Sequence, residues 1–191
     1  MGLMVDLPLR AGVFLDRDGV ITVEKGHVTS PTEIQVIPGA GEAIRRLNAA
    51  AIPVIVVTNQ SGVARGLLSL STLEEIHQAM RTQLAKDSAA VEAIFFCPHH
   101  PEGAVAEFRA VCECRKPGAE MLRRGAQIYG IDLASSFMVG DTESDIAAGK
   151  AVGSTTFLVH SAATGAIEAV NADYQCSSLD SAVETILTLT R

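Results

Sequence analysis

Two aspartates one residue apart, in Asp16-Arg17-Asp18-Gly19, directly follow the apolar run Gly12-Val13-Phe14-Leu15. A short run of that kind reads as a buried strand, and carboxylates at its carboxyl end lie in the crevice where open α/β sheets bind ligands. In an extended chain, residues i and i+2 point to the same side, so Asp16 and Asp18 crowd two like charges together. A cation is expected beside them, and hard oxygen ligands favour Mg²⁺. Taken alone, the same four residues also suit a solvated surface turn.

Three further stretches repeat the theme. Val57-Thr58-Asn59-Gln60-Ser61-Gly62 ends an apolar run with a hydroxyl, an amide and free N–H groups ahead of a helix. That is a phosphate cradle or an ordinary strand-to-helix turn. Cys114-Arg115-Lys116-Pro117 places adjacent cations before a helix, the Arg offering a bidentate fork and the Lys a point charge; a solvated basic pair is the bland alternative. Met138-Val139-Gly140-Asp141 ends a strand in a carboxylate, with Asp145 one turn on, where helix capping accounts for Asp145 equally well. All four stretches would meet at one edge of a sheet.

The elements that must position them alternate. Short Val-, Ile- or Phe-rich runs at Gly12–Leu15, Ile52–Val57, Val91–Phe96, Phe137–Val139 and Thr155–Val159 lack strict alternation, the pattern of parallel strands covered on both faces. Between them lie helical stripes: Ala40, Ala43, Ile44, Leu47 and Ala51; then Leu73, Ile76, His77, Met80 and Leu84, opened by a capping box Ser71-x-x-Glu74. A third helix is expected from Pro117, a fourth after Asp141 with Thr142-x-x-Asp145 as its cap, and a closing one over Ser178–Thr190. The expected fold is a doubly wound, Rossmann-like parallel sheet with no large cap domain.

The chain has 191 residues, of which 48% are hydrophobic, so one domain over 1–191 with a real core is expected. The net charge of −7 argues against a nucleic-acid partner. Asp6, Pro8 and Arg10 stand where the apolar part of a signal peptide would lie. The longest apolar run, Ala49–Val57, contains Pro53 and falls far short of the ~20 residues of a membrane span. No membrane partner and a cytoplasmic location are expected.

Two stretches have no clean period: Val20–Gly39, and the loop 97–116. Loops of the latter length are usually functional. This one is bracketed by Cys97-Pro98-His99-His100 and Cys112-Glu113-Cys114. Three thiols and an imidazole suit tetrahedral Zn²⁺, with His99 and His100 both able to reach. A disulfide is disfavoured in a cytoplasmic chain, and buried free cysteine is the remaining option. Four protein ligands leave no open position, so the zinc would be structural, stapling a loop without a core of its own and aiming Arg115 and Lys116. Cys176 reads as core.

Asp16-x-Asp18-Gly19, Thr58, Lys116 and Gly140-Asp141, in that order, resemble the four motifs of the haloacid-dehalogenase-superfamily phosphatases. The resemblance spans 13–145. It implies Asp16 as the nucleophile and Asp18 as general acid and base. Thr58 and Lys116 would neutralise the transferring phosphoryl oxygens, and Arg115 would hold the distal phosphate or sugar hydroxyls. Mg²⁺ would sit on the Asp16 and Asp141 carboxylates and the Asp18 carbonyl, with Asp145 behind. Cys-x-His…Cys-x-Cys-Arg-Lys-Pro, with Thr58-Asn59-Gln60-Ser61-Gly62-Val63-Ala64-Arg65-Gly66, is similar to the heptose-bisphosphate branch of that superfamily. Histidinol-phosphate phosphatases are close relatives with a shorter loop. This implies zinc on Cys97, His99, Cys112 and Cys114, and a small phosphorylated sugar held by Glu24, Lys25, Gly26, His27, Thr58, Asn59, Gln60, Ser61, Arg115 and Lys116. It also implies a role in heptose and lipopolysaccharide biosynthesis. Gly26-His27-Val28 stands where heptose enzymes often show Gly-Tyr-Val.

Three rivals compete. A phospho-receiver domain is also doubly wound and binds Mg²⁺, but its acceptor would end the third strand, where this chain has Cys97. Zinc-dependent hydrolysis needs an open coordination position. A zinc-stapled interaction module is the third. Without a large cap, water must be excluded by the Glu24–His27 flap and the zinc loop, which suits a monomer acting on an extended small molecule.

Overall fold

A computed structural model describes residues 9–160 and 171–190. Asp6 and Pro8, on which part of the signal-peptide reading rests, lie outside the described residues, as do both ends of the expected 1–191 domain. Six parallel strands form one sheet: β1 (Val13–Leu15), β2 (Val54–Asn59), β3 (Ala93–Cys97), β4 (Phe137–Gly140), β5 (Thr155–Val159) and β6 (Tyr174–Cys176). Their spatial order is β3-β2-β1-β4-β5-β6. β1 lies between β2 and β4, with Leu15 opposite both Val56 and Val139.

The absence of strict alternation has its cause in the layers. Val13 and Leu15 enter a core with Ala43, Ile44 and Leu47 of α1 (Ala40–Ala49), Ile76, Met80 and Leu84 of α2 (Leu70–Ala85), and Ala182, Val183 and Ile186 of α5 (Leu179–Leu189). Phe14 points the other way, with Ile55, Val57 and Met138, onto Met121, Leu122 and Ala126 of α3 (Glu120–Tyr129) and Ala148 of α4 (Glu143–Lys150). Both sheet faces are covered, so each strand is apolar throughout. No helix among the described residues is long and apolar enough to cross a membrane.

Several expected boundaries move. β2 and β3 begin two residues later than their apolar runs, and β2 continues through Thr58 and Asn59. The box Ser71-x-x-Glu74 does not form. Ser69, extended at φ −85°, accepts from the Thr72 N–H instead, and α2 starts at Leu70. α3 starts at Glu120 and not at Pro117, because the Gly118 N–H turns back to the Arg115 carbonyl. Thr142 and Asp145 do open α4, Asp145 accepting from the Thr142 N–H at 3.1 Å. The edge strand β6, with only Cys176 buried, carries no apolar run that could announce it.

Beneath the sheet's carboxyl edge, α2 buries His77, its ring 5.6 Å from that of Phe96. Burial first, and the nearby Arg17 charge second, push its pKa down to about 3. The unfolded chain, with a histidine pKa of ~6.5, therefore takes up this proton before the folded one does, and the stability is lost as pH falls below that value. Replacing His77 by Phe should remove this acid sensitivity. The stability difference between wild type and variant should move by about 2 kcal/mol in the variant's favour from pH 7 to pH 5, read from urea unfolding at the two values.

Candidate active site

β1 and β4 are adjacent, yet the chain runs away from them in opposite directions, which makes their boundary the point where doubly wound sheets bind ligands. Asp16 follows β1 and is fixed by its N–H, which donates to the Val139 carbonyl at 2.9 Å. Asp141 follows β4. Between the two, Gly19 adopts φ +80°, and a Cβ there would overlap the Asp141 carboxylate. Gly140 is small for a like reason, since a Cβ would overlap Asp145. These two glycines let three carboxylates come together.

Lys116 reaches the same spot from the loop after β3. Its Nζ lies 2.7 Å from Asp16 Oδ1, 2.7 Å from the Val57 carbonyl and 2.5 Å from Asp145 Oδ1. Burial alone would pull its pKa down, but the charges of Asp145 and Asp16 outweigh this and leave it raised, so it is a permanent cation. Asn59 holds the Lys116 main chain from both sides, accepting from its N–H at 3.0 Å and donating to its carbonyl at 3.1 Å. Gln60 Nε2 bridges Thr58 Oγ1 and Asp18 Oδ2, each at 2.9 Å. Asp18, Glu24, Gly26, His27, Thr58, Asn59, Gln60 and Arg115 surround the acids around a cavity of about 230 Å³, completed by Thr142 and Ser144.

One ammonium does not balance the acids. Carboxylate oxygens of Asp16, Asp141 and Asp145 lie within 4.8 Å of one another. Burial, with Asp145 and Asp18 adding to it against the pull of Lys116, pushes the Asp16 pKa up to about 7. Burial and the charges of Asp16, Asp145 and Glu24 push that of Asp141 up to about 8. Buried oxygen donors short of positive charge fit a hard divalent cation. The carboxylate of Asp18 is outside this group: it turns to Arg17, Thr22 and Gln60.

Not every residue expected to touch substrate lines the cavity. The Lys25 ammonium donates to the Glu33 carbonyl, and Ser61 is buried below the rim. Among residues that line it, Thr142 reads in sequence only as a cap, and Ser144 carries no sequence signal of its own. Small hydroxyls at a helix start look alike in sequence, and only the position of α4 next to Asp141 marks these two.

Behind the cavity, Cys97, His99, Cys112 and Cys114 bring their ligand atoms together. Sulfur–sulfur separations are 3.1 to 3.5 Å and His99 Nδ1 lies 3.2 Å from Cys114 Sγ. All three thiols are free of disulfides. The separations approach the roughly 3.8 Å edge of a tetrahedron with ~2.3 Å metal–sulfur bonds. His100 turns elsewhere, its Nδ1 accepting from the Glu102 N–H. Burial raises the Cys97 and Cys114 thiol pKa values, the neighbouring thiols adding to the effect on Cys114.

Comparison with known proteins matches this arrangement to one class. Residues 13–91 match the family described as haloacid dehalogenase-like hydrolase, and 113–182 a HAD-hydrolase-like family. The chain belongs to the haloacid dehalogenase-like hydrolases. Among its relatives, a D-glycero-beta-D-manno-heptose-1,7-bisphosphate 7-phosphatase of Rhodopseudomonas palustris is 42% identical over 76% of this chain and 81% of its own. One of the same name from Escherichia coli strain K12 is 41% identical over 87% and 88%. The crystal structure of D,D-heptose 1,7-bisphosphate phosphatase from B. bronchiseptica, complexed with magnesium and phosphate, superposes with a TM-score of 0.79 at 37% identity, covering 93% of this chain and 98% of its own. A putative HAD-like phosphatase from Mesorhizobium loti gives 0.85 at 32% identity, over 100% and 92%.

The raised acid pKa values carry a sign that can be measured. Asp16 and Asp141 favour the folded, cation-free protein while protonated; that contribution is fully present below the ordinary aspartate value of 3.8 and is lost progressively as pH rises to about 7 to 8. Mg²⁺, by binding the ionised acids, should therefore raise the melting temperature more at pH 8 than at pH 5.5. Asp141→Asn should abolish most of the difference.

Proposed function

We propose that the protein is a Mg²⁺-dependent phosphatase that removes the 7-phosphate of D-glycero-D-manno-heptose 1,7-bisphosphate through an aspartyl-phosphate. The observation that carries this is the Asp16 carboxylate, presented at the sheet's switch point beside a permanently charged lysine, in a chain about 40% identical to enzymes of that name.

Asp16 attacks phosphorus and the bond to the sugar oxygen breaks. Asp18 gives that oxygen its proton. Water then attacks the aspartyl-phosphate, returning a proton to Asp18 and releasing inorganic phosphate. An ionised aspartate needs no base to make it nucleophilic; its difficulty is approaching an anion. Lys116 and the Thr58 hydroxyl oppose that repulsion and hold the equatorial oxygens. The Asp16 and Asp141 carboxylates and the Asp18 carbonyl, with Asp145 behind, would hold Mg²⁺, which would supply the remaining positive charge. Arg115 holds the distal phosphate or sugar hydroxyls, and Glu24, Gly26 and His27 meet the sugar from the flap. The receiver-domain rival loses support because the end of β3, its acceptor position, lies at the sheet edge within the thiol cluster.

Zn²⁺ on Cys97, His99, Cys112 and Cys114 is read as structural. Cys114 stands two residues before Lys116, and the Cys97 carbonyl accepts from the Gln60 N–H, so the staple braces both phosphate-binding segments. The acidic chain is read as a cytoplasmic monomer that binds no nucleic acid, with its product entering heptose-containing glycans such as lipopolysaccharide.

Asp16→Asn should lose at least roughly 10³-fold in Mg²⁺-dependent phosphate release. The heptose bisphosphate should give a higher kcat/KM than fructose 1,6-bisphosphate or histidinol phosphate; preference for histidinol phosphate would reassign the substrate while leaving the reaction intact. Purified protein should carry about one zinc per chain by elemental analysis. Cys114→Ser should lose that zinc, melt lower and turn over more slowly.

A further inference from the structure

Arg17 is the largest side chain buried to below 2% exposure, although it carries a charge. A guanidinium in that position requires a partner, and it has one. Its Nε lies 3.0 Å from Asp18 Oδ1 and its Nη2 2.7 Å from Asp18 Oδ2, a two-pronged pair between consecutive residues. Neighbours in an extended chain point to opposite sides. Here they lie together because the chain leaves β1 and folds back, with the Ile21 and Thr22 N–H groups both donating to the Arg17 carbonyl.

The remaining donors on Asp18 complete a rigid mount. Thr22 Oγ1 lies 3.1 Å from Oδ1 and Gln60 Nε2 2.9 Å from Oδ2, so each oxygen meets two donors. Asp18 lines the cavity and Arg17 does not: the guanidinium grips the carboxylate from the protein side. We propose that Arg17 is a positioning residue whose fork holds Asp18 at the cavity wall, from where it exchanges a proton first with the leaving sugar oxygen and then with the attacking water. The proposal rests on the reading of Asp18 as the proton donor.

A core arginine that merely supported folding would, when replaced, slow every substrate alike. A positioning residue for the acid has a narrower signature. A sugar alkoxide needs a proton to leave, whereas p-nitrophenolate does not. Arg17→Gln removes fork and charge; Arg17→Lys keeps the charge without the fork and serves if the first variant fails to fold. With folding checked by melting temperature, kcat/KM on the sugar bisphosphate, which reports phosphoryl transfer to Asp16 and not the later attack of water, should fall roughly 10- to 100-fold. On p-nitrophenyl phosphate kcat/KM should fall at most a few-fold. Asp18→Asn should show the same discrimination more strongly, and adding Arg17→Gln to it should cost no further turnover of the sugar bisphosphate. Equal losses of kcat/KM on both substrates in a folded Arg17 variant, or a full additional loss in the Asp18→Asn background, would overturn the proposal. Undiminished sugar-bisphosphate turnover by Asp18→Asn would instead overturn the assignment of the acid, and the inference with it.

Discussion

The buried ammonium of Lys116 is the contact on which the rest of the site depends. It joins the residue after β1, the carbonyl of Val57 in β2 and a carboxylate at the start of α4, three segments far apart in sequence. Without it, Asp16 and Asp145 would face each other uncompensated in a desolvated crevice, a costly arrangement. With it, one of the three acid charges is offset, and the surplus that is left fits a divalent cation. The lysine thus links packing to chemistry: the same atom that lets the acids be buried is the one an incoming phosphate would meet.

That arrangement is set by backbone more than by side-chain choice. β1 and β4 are paired with Leu15 opposite Val139, so Asp16 and Asp141 leave the same edge of the sheet one residue out of step, and Gly19 and Gly140 leave the room the acids occupy. Asn59 illustrates how close the support lies to the surface. It lines the cavity, yet both ends of its amide are engaged with the Lys116 main chain, so it braces the cation besides forming the wall. The thiol cluster extends the support outward to a loop whose own apolar content is too small to order it.

Much of this could be read from the chain. Strands buried on both faces leave unbroken apolar runs, and polar residues at their carboxyl ends stand out; hence Asp16, Thr58 and Asp141 are legible in the sequence, while Lys116 is marked only as one of two adjacent cations ahead of Pro117. What escaped depended on direction in space. Ser69, Ser71 and Thr72 are chemically near-equal caps, and only the extended backbone at Ser69 decides among them. Lys25 lies in the expected flap but bends to a local carbonyl. Arg17, flanked by two acids in a motif, looks solvated in sequence because nothing local shows that the chain folds back over it. β6 is too short and too exposed to leave a hydrophobic trace.

The ion pair between Asp16 and Lys116 bridges 100 residues of chain, and the third acid lies further still along it. No early portion of the polypeptide contains the machinery in miniature. As the protein emerges from the ribosome, its first strand must wait for β4 to pair beside it, and until then Asp16 is an ordinary solvated aspartate. Hydrolysis therefore requires the chain through α4, and it reports on the joining of β1, β2 and β4 in one sheet.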